Sequence, residues 1–134
     1  MKYLLDTCTV SDFVKGDSPT MSKLKNCSPV DLGLSVISLM EIQYGLAHNK
    51  DRAKKIKPVL DAFLSTIKIL DFKQGDAQHA ALLRAFLHQE GKPIGSYDLL
   101  IAACALHHDL ILVTSNSKEF TRAPGLQCEN WRVY

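Results

Sequence analysis

No apolar run in this 134-residue chain is long enough to span a membrane. The opening Met1–Leu5 segment is interrupted by Asp6 before it can form the apolar stretch of a secretory leader. A cytoplasmic protein with no membrane partner is therefore expected. Cysteine pairing is equally scarce: the four cysteines, at 8, 27, 104 and 128, form no C-x-x-C. The five histidines show no zinc spacing, so neither a zinc ribbon nor a disulfide framework is expected. Charge bias is small as well, sixteen basic against fourteen acidic residues for a net +2. Such an excess can steer a nucleic acid only if it is gathered on one face. The chain also lacks long linkers, internal repeats and low-complexity tracts. One domain over residues 1–134 is expected, which excludes a barrel of eight βα units.

What is present is a 46% hydrophobic sequence patterned as alternating strands and helices. Tyr3–Leu5, Leu32–Val36, Ile67–Leu70 and Leu110–Thr114 read as short buried strands. Thr9, with Asp12 three residues on, predicts a capped helix ending near Gly16, and a short helix is expected near Met21–Asn26. Ser38 opens a predicted helix through Ala47. Residues 50–66 predict another, with Ile56, Val59, Leu60, Phe63 and Leu64 on its apolar stripe and Pro58 as a point of kinking or splitting. A helix over Gln74–Glu90 places Ala77, Ala80, Ala81, Leu83 and Leu87 inward, and Gly91 stops it. Tyr97–His108 reads as a buried helix. This alternation predicts an α/β fold with a mainly parallel sheet covered on both faces.

Three carboxylates interrupt these apolar segments: Asp6 past the first strand, Glu41 in the helix after the second, and Asp98 at the start of the buried helix. The Thr114-Ser115-Asn116 turn follows the last of the four strands. Open parallel sheets bind ligands at the carboxyl edge of their strands, where Asp6, Glu41 and this turn would lie. Asp98 joins them only if its helix starts on that side. Carboxylates crowded in a half-buried cleft repel one another unless a cation neutralises them. Mg²⁺ or Mn²⁺ suits such hard oxygen donors and promotes attack on phosphorus. Each acid also has a structural alternative. Ser38-x-x-Glu41 is a capping box, Asp98 suits a positive helix end, and Asp6 could cap a loop.

Other residues are read more plainly. Cys8 and Cys104 look like small buried residues. Lys50, Arg52, Lys54, Lys55 and Lys57 read as a solvated helix face, with RNA-backbone contact as the alternative. His107 and His108 suit the negative end of their helix and have no catalytic role. Tyr97 is expected to pack, or to stack on an RNA base. Trp131 belongs in the core or on a dimer surface. A phosphatase pattern fails at Asp6-Thr7-Cys8 because its second aspartate is missing.

Taken in order, Tyr3–Thr7, Ser35–Leu46, Pro93–Ala103, Leu112–Phe120, Pro124–Leu126 and Glu129–Trp131 resemble the PIN domain family, in particular VapC-type toxins of bacterial toxin–antitoxin pairs. The resemblance implies a three-layer α/β/α sandwich with four to five strands and a Mg²⁺- or Mn²⁺-dependent endoribonuclease. It further implies a structured RNA substrate, often tRNA and in enteric relatives initiator tRNA. A homodimer and a VapB-like antitoxin, whose C-terminal segment blocks the site, are implied as well. Asp6, Glu41 and Asp98 match the family's acidic residues. Asp6 and Asp98 would hold the ion directly, and Glu41 directly or through water, also helping to deprotonate the attacking water. Asn116, Thr7 or Ser115 would position waters or phosphate oxygens. Two positions depart from the family pattern: Cys8 stands where an Asn is usual, and Asn116 falls on a fourth acidic position, which Glu119 could replace. A non-catalytic binding module and a nuclease acting on single-stranded DNA are the competing readings.

Overall fold

The computed structural model describes residues 1–132. Five short strands form one sheet: β1 (Tyr3–Leu5), β2 (Leu32–Ser35), β3 (Lys68–Leu70), β4 (Ile111–Val113) and β5 (Cys128–Glu129). Their order is β3-β2-β1-β4-β5, and every pairing is parallel. Successive strand residues point to opposite faces, so the central β1 and β4 serve two cores. Leu4 and Leu112 enter one core with Leu83, Leu87 and Ile101. Leu5 and Val113 enter the other with Val10, Leu34, Leu60 and Trp131. This is the expected three-layer sandwich. β5 had no clear apolar signature because Cys128 and Glu129 are only half-buried at the sheet's edge.

On one face lie α1 (Thr7–Lys15), α3 (Val36–His48) and α4 (Lys50–Leu64), with α2 (Ser18–Lys25) alongside. On the other lie α5 (Gln74–Gln89) and α6 (Ser96–His107), and a single turn, α7 (Ser117–Phe120), follows β4. Several local expectations are corrected. α1 is capped by Asp6 rather than Thr9, since Asp6 Oδ1 accepts from Thr9 N at 3.0 Å. α3 starts before Ser38: Ser35 Oγ accepts from Ile37 N at 3.0 Å, and Ser38 lies buried within the first turn. The expected Ser38–Glu41 capping box does not form, because the helix has already begun. α4 continues through Pro58, which is exposed, so the Lys54 carbonyl it leaves unpaired can face water. Val59 is 50% exposed rather than inward. On α5 the inward stripe is Asp76, Ala80, Leu83 and Leu87, which leaves Ala77 and Ala81 outside.

β2 and β3 lie on one side of β1, and β4 and β5 on the other. The chain therefore reverses its direction of travel beside β1, which opens a crevice at the carboxyl ends of β1 and β4. α6 runs into the start of β4, so its own first turn reaches that same edge. The Asp109 left-handed residue, φ 54°, makes the tight turn between them.

Candidate active site

The crevice is a cavity of about 170 Å³ lined by Asp6, Thr7, Cys8, Glu41, Asp98, Ile101, Ser115 and Asn116. The fold thus brings together all four sequence-predicted residues from β1, α3, α6 and the turn after β4. Asp6 is 6% exposed, and its Oδ1 collects Thr9 N, Thr9 Oγ1 at 3.2 Å and Cys8 Sγ at 2.8 Å. Among the described residues its Oδ2 receives no such donor. Glu41 takes Thr7 Oγ1 on Oε1 at 2.9 Å, which fixes the carboxylate that the absent capping box would have occupied.

Asp98 stands at the start of α6 with its carboxyl pushed up to about 6. Burial is the main cause, followed by the negative charges of Glu119, Glu41 and Asp6. Glu119 is held the other way: the Gly95 N–H at 2.8 Å is the main cause of its lowered pKa, and the Asn116 amide at 2.7 Å adds to it. Glu119 is therefore a neighbour of Asp98 rather than a stray surface acid. Asn116, by contrast, spends its amide N–H on Glu119. No salt bridge among the described residues reaches Asp6, Glu41, Asp98 or Glu119.

Cys8 is half-buried at the site, not an inert core residue. Burial, then the charge of Asp6, raises its pKa, so the thiol keeps its proton and donates to Asp6. Its sulfur in turn accepts from Ser115 N at 3.3 Å and Ser115 Oγ at 3.0 Å. Cys8 thereby ties β1 to the turn after β4, although a thiol is a weaker hydrogen-bonder than an amide. Thr7 Oγ1 donates to Glu41 and Ser115 Oγ to Cys8.

Beside the cavity, an apolar groove of about 140 Å³ lies between α1, α3 and α4. Thr7 and Glu41 line both spaces, and Val10, Val14, Ile42, Leu46 and Arg52 line the groove alone. The basic run of α4 is exposed, as expected. Tyr97 is 52% exposed rather than packed, while Trp131 is buried and donates to Glu129 Oε1 at 3.0 Å. No helix among the described residues is long and apolar enough to cross a membrane.

Comparison with known proteins agrees with this fold. The PIN domain description matches residues 3–126. The tRNA(fMet)-specific endonuclease VapC of Shigella flexneri is 33% identical over 131 residues, covering 98% of each chain. A chain of VapBC2 from Rickettsia felis, solved bound to a promoter DNA fragment, superposes with a TM-score of 0.87 at 37% identity, over 98% of this chain and 99% of that one. DNA-bound VapBC from Salmonella typhimurium gives 0.89 and 33%, over 98% of both chains. The chain belongs to the PIN domain family. Within that family it sides with the VapC-type nucleases of toxin–antitoxin pairs.

Proposed function

We propose that this chain is the toxin half of a toxin–antitoxin pair, a Mg²⁺- or Mn²⁺-dependent endoribonuclease that hydrolyses phosphodiester bonds in a structured RNA. Initiator tRNA is its first candidate substrate, by likeness to the Shigella relative. The observation that carries this reading is the convergence of Asp6, Glu41 and Asp98 on one cavity without a neutralising side-chain cation.

The donor set fits a hard divalent ion. No three of these acids, among the described residues, bring ligand atoms within 4.8 Å of one another, a spacing met elsewhere in the chain. Such width suits Mg²⁺, which retains several waters and is held by few carboxylates directly. Asp6 Oδ2 and Asp98 would hold it directly, with Glu41 reaching it through water. When bound, the ion supplies Lewis-acid stabilisation of the phosphoryl oxygens and lowers the pKa of water.

The protein's own groups do the rest. Glu41, fixed on Oε1 by Thr7, keeps Oε2 to take the proton of the attacking water. The water oxygen bonds to phosphorus, the bridging P–O bond breaks, and the leaving oxygen takes a proton from solvent. Cys8 and Thr9 hold Asp6 in register, and Ser115 is held by Cys8. Asn116 and Gly95 keep Glu119 turned toward Asp98. The orienting hydrogen bonds of Cys8 in the cavity support a working site over a decayed, non-catalytic module. The apolar groove that shares Thr7 and Glu41 with the cavity is where an antitoxin segment would cover the site, and a homodimer belongs to the same reading.

Incubating the purified chain with initiator tRNA in Mg²⁺ and mapping the new 5′ ends tests this reading. Discrete cleavage, lost with EDTA and in Asp98→Asn, is expected. Equal cleavage by Asp98→Asn, or none of any structured RNA by the wild type, overturns it.

A further inference from the structure

A second group of donors lies at the other end of α6. Asp76, in the first turn of α5, is fully buried on that helix's inward stripe. Its Oδ2 accepts from Lys73 N at 2.8 Å, but its Oδ1 is a buried oxygen with no hydrogen-bond partner. A buried carboxylate oxygen left this way is costly unless a donor or a cation meets it. His108 Nε2 stands 3.4 Å from Oδ1, beyond the usual hydrogen-bond range. His107 lies edge-on to His108, with ring centroids 4.8 Å apart. Ligand atoms of Asp76, His107 and His108 all fall within 4.8 Å of one another.

We propose that Asp76, His107 and His108 form a binding site for Zn²⁺ or a similarly borderline divalent ion, tying the start of α5 to the end of α6. Two imidazoles and one carboxylate are the donors such ions take, and water supplies a fourth position. The oxygen that points inward is the one without a partner, and its companion is already fixed by a backbone N–H, which orients the ligand. Both histidines are exposed, so the ion has a path in from solvent.

Gly75 supports the arrangement. A Cβ there would come within 2.3 Å of His107 Cε1 and 2.4 Å of its Nε2. Glycine thus leaves the space that lets His107 lie against the start of α5. His79, with its ring centroid 4.9 Å from that of His107, walls the other side. The site is independent of the nuclease reading, since His108 follows Asp98 by ten residues, ~15 Å along the helix axis.

Zn²⁺ is titrated calorimetrically into the full chain in a buffer with excess Mg²⁺ as a competitor for the acidic cavity. One equivalent should bind and raise the melting temperature, and a chelator should reverse both. Co²⁺ in its place should show no thiolate charge-transfer band, excluding the cysteines. His108→Gln, an exposed substitution that leaves the fold intact, should weaken binding by at least about tenfold while RNA cleavage is unchanged. Gly75→Ala removes no ligand, yet by displacing His107 it should weaken Zn²⁺ by roughly tenfold without lowering the metal-free melting temperature. Absence of Zn²⁺ binding by the wild type, or equal affinity in both variants, overturns the proposal.

Discussion

At the two ends of α6, carboxylates are held in contrasting ways. At its start, Asp98 shares an open cavity with Asp6 and Glu41, faces Glu119, and is pushed up to about 6. At its end, Asp76 is a single, fully buried acid with one oxygen satisfied and two imidazoles beside the other. Wide spacing and oxygen donors favour an ion that keeps its waters, whereas close spacing and nitrogen donors favour one that sheds them. The two ends of α6 thus meet carboxylate settings that differ in donor type and geometry rather than in net acidity alone.

The sharpest way to break this contrast is to exchange losses between the ends. Asp98→Asn removes charge where the phosphoryl group would sit. Losing several kcal/mol of charge stabilisation should cost at least about 10³-fold in cleavage rate. His108→Gln should leave that rate unchanged. Comparable losses in both variants, measured as single-turnover cleavage of tRNA, would show that the two ends are one functional unit.

A smaller effect is expected at Cys8. Cys8→Ala leaves Asp6 Oδ1 without the thiol donor and Ser115 without its acceptor. Loss of such a supporting contact should lower metal affinity or turnover by about 10- to 100-fold. Cys8→Asn, which restores an N–H donor, should recover most of it. An unaltered rate in Cys8→Ala would show that Asp6 is held well enough by Thr9 alone.

Much of this was legible in the sequence, and the exceptions have physical causes. β1, β3 and β4 carry adjacent apolar residues because each feeds two cores, and β2 alternates because Leu32 and Leu34 enter one core, so these four were readable, while half-buried β5 carried no apolar signal. Asp6, Glu41 and Asp98 stood out as charges within apolar or helix-starting segments. The direction of α6, which decides whether Asp98 joins the others, follows from its tight Asp109 turn into β4 and could not be read beforehand. The Asp76 cluster was missed because zinc spacing was sought along the chain, whereas this group joins residues about thirty positions apart on two helices. One signal was available: Asp76 falls on the stripe shared by Ala80, Leu83 and Leu87, where a lone charge needs a partner.

Cations near the acidic end should shape RNA affinity, and those at the histidine end should not. Arg52 lines the groove that adjoins Glu41. If it neutralises one phosphate, Arg52→Gln should weaken RNA binding and reduce the slope of log affinity against log salt by about 0.7 to 0.9. A filter-binding salt series measures this. An unchanged slope would place the RNA on another face of the cavity.

The smallest effect concerns stability and has a definite sign. Asp98 titrates near 6 in the folded chain and near 3.8 when unfolded, so between these values the native state binds the extra proton. The stability that Asp98 contributes through that proton is fully present below about 3.8 and is lost as pH rises through about 6. In EDTA at neutral pH, Asp98→Asn should therefore melt higher than the wild type, by an amount on the order of 1 kcal/mol once the screening of an open cavity is allowed for. The gap should close as the pH falls below 4, and Mg²⁺ should reverse it at pH 7 by stabilising only the wild type. Melting curves at several pH values, with and without Mg²⁺, measure both halves. A wild type that melts higher than Asp98→Asn in EDTA at pH 7 would mean that the acidic end is already neutralised by the protein itself, and its contrast with the Asp76 end would disappear.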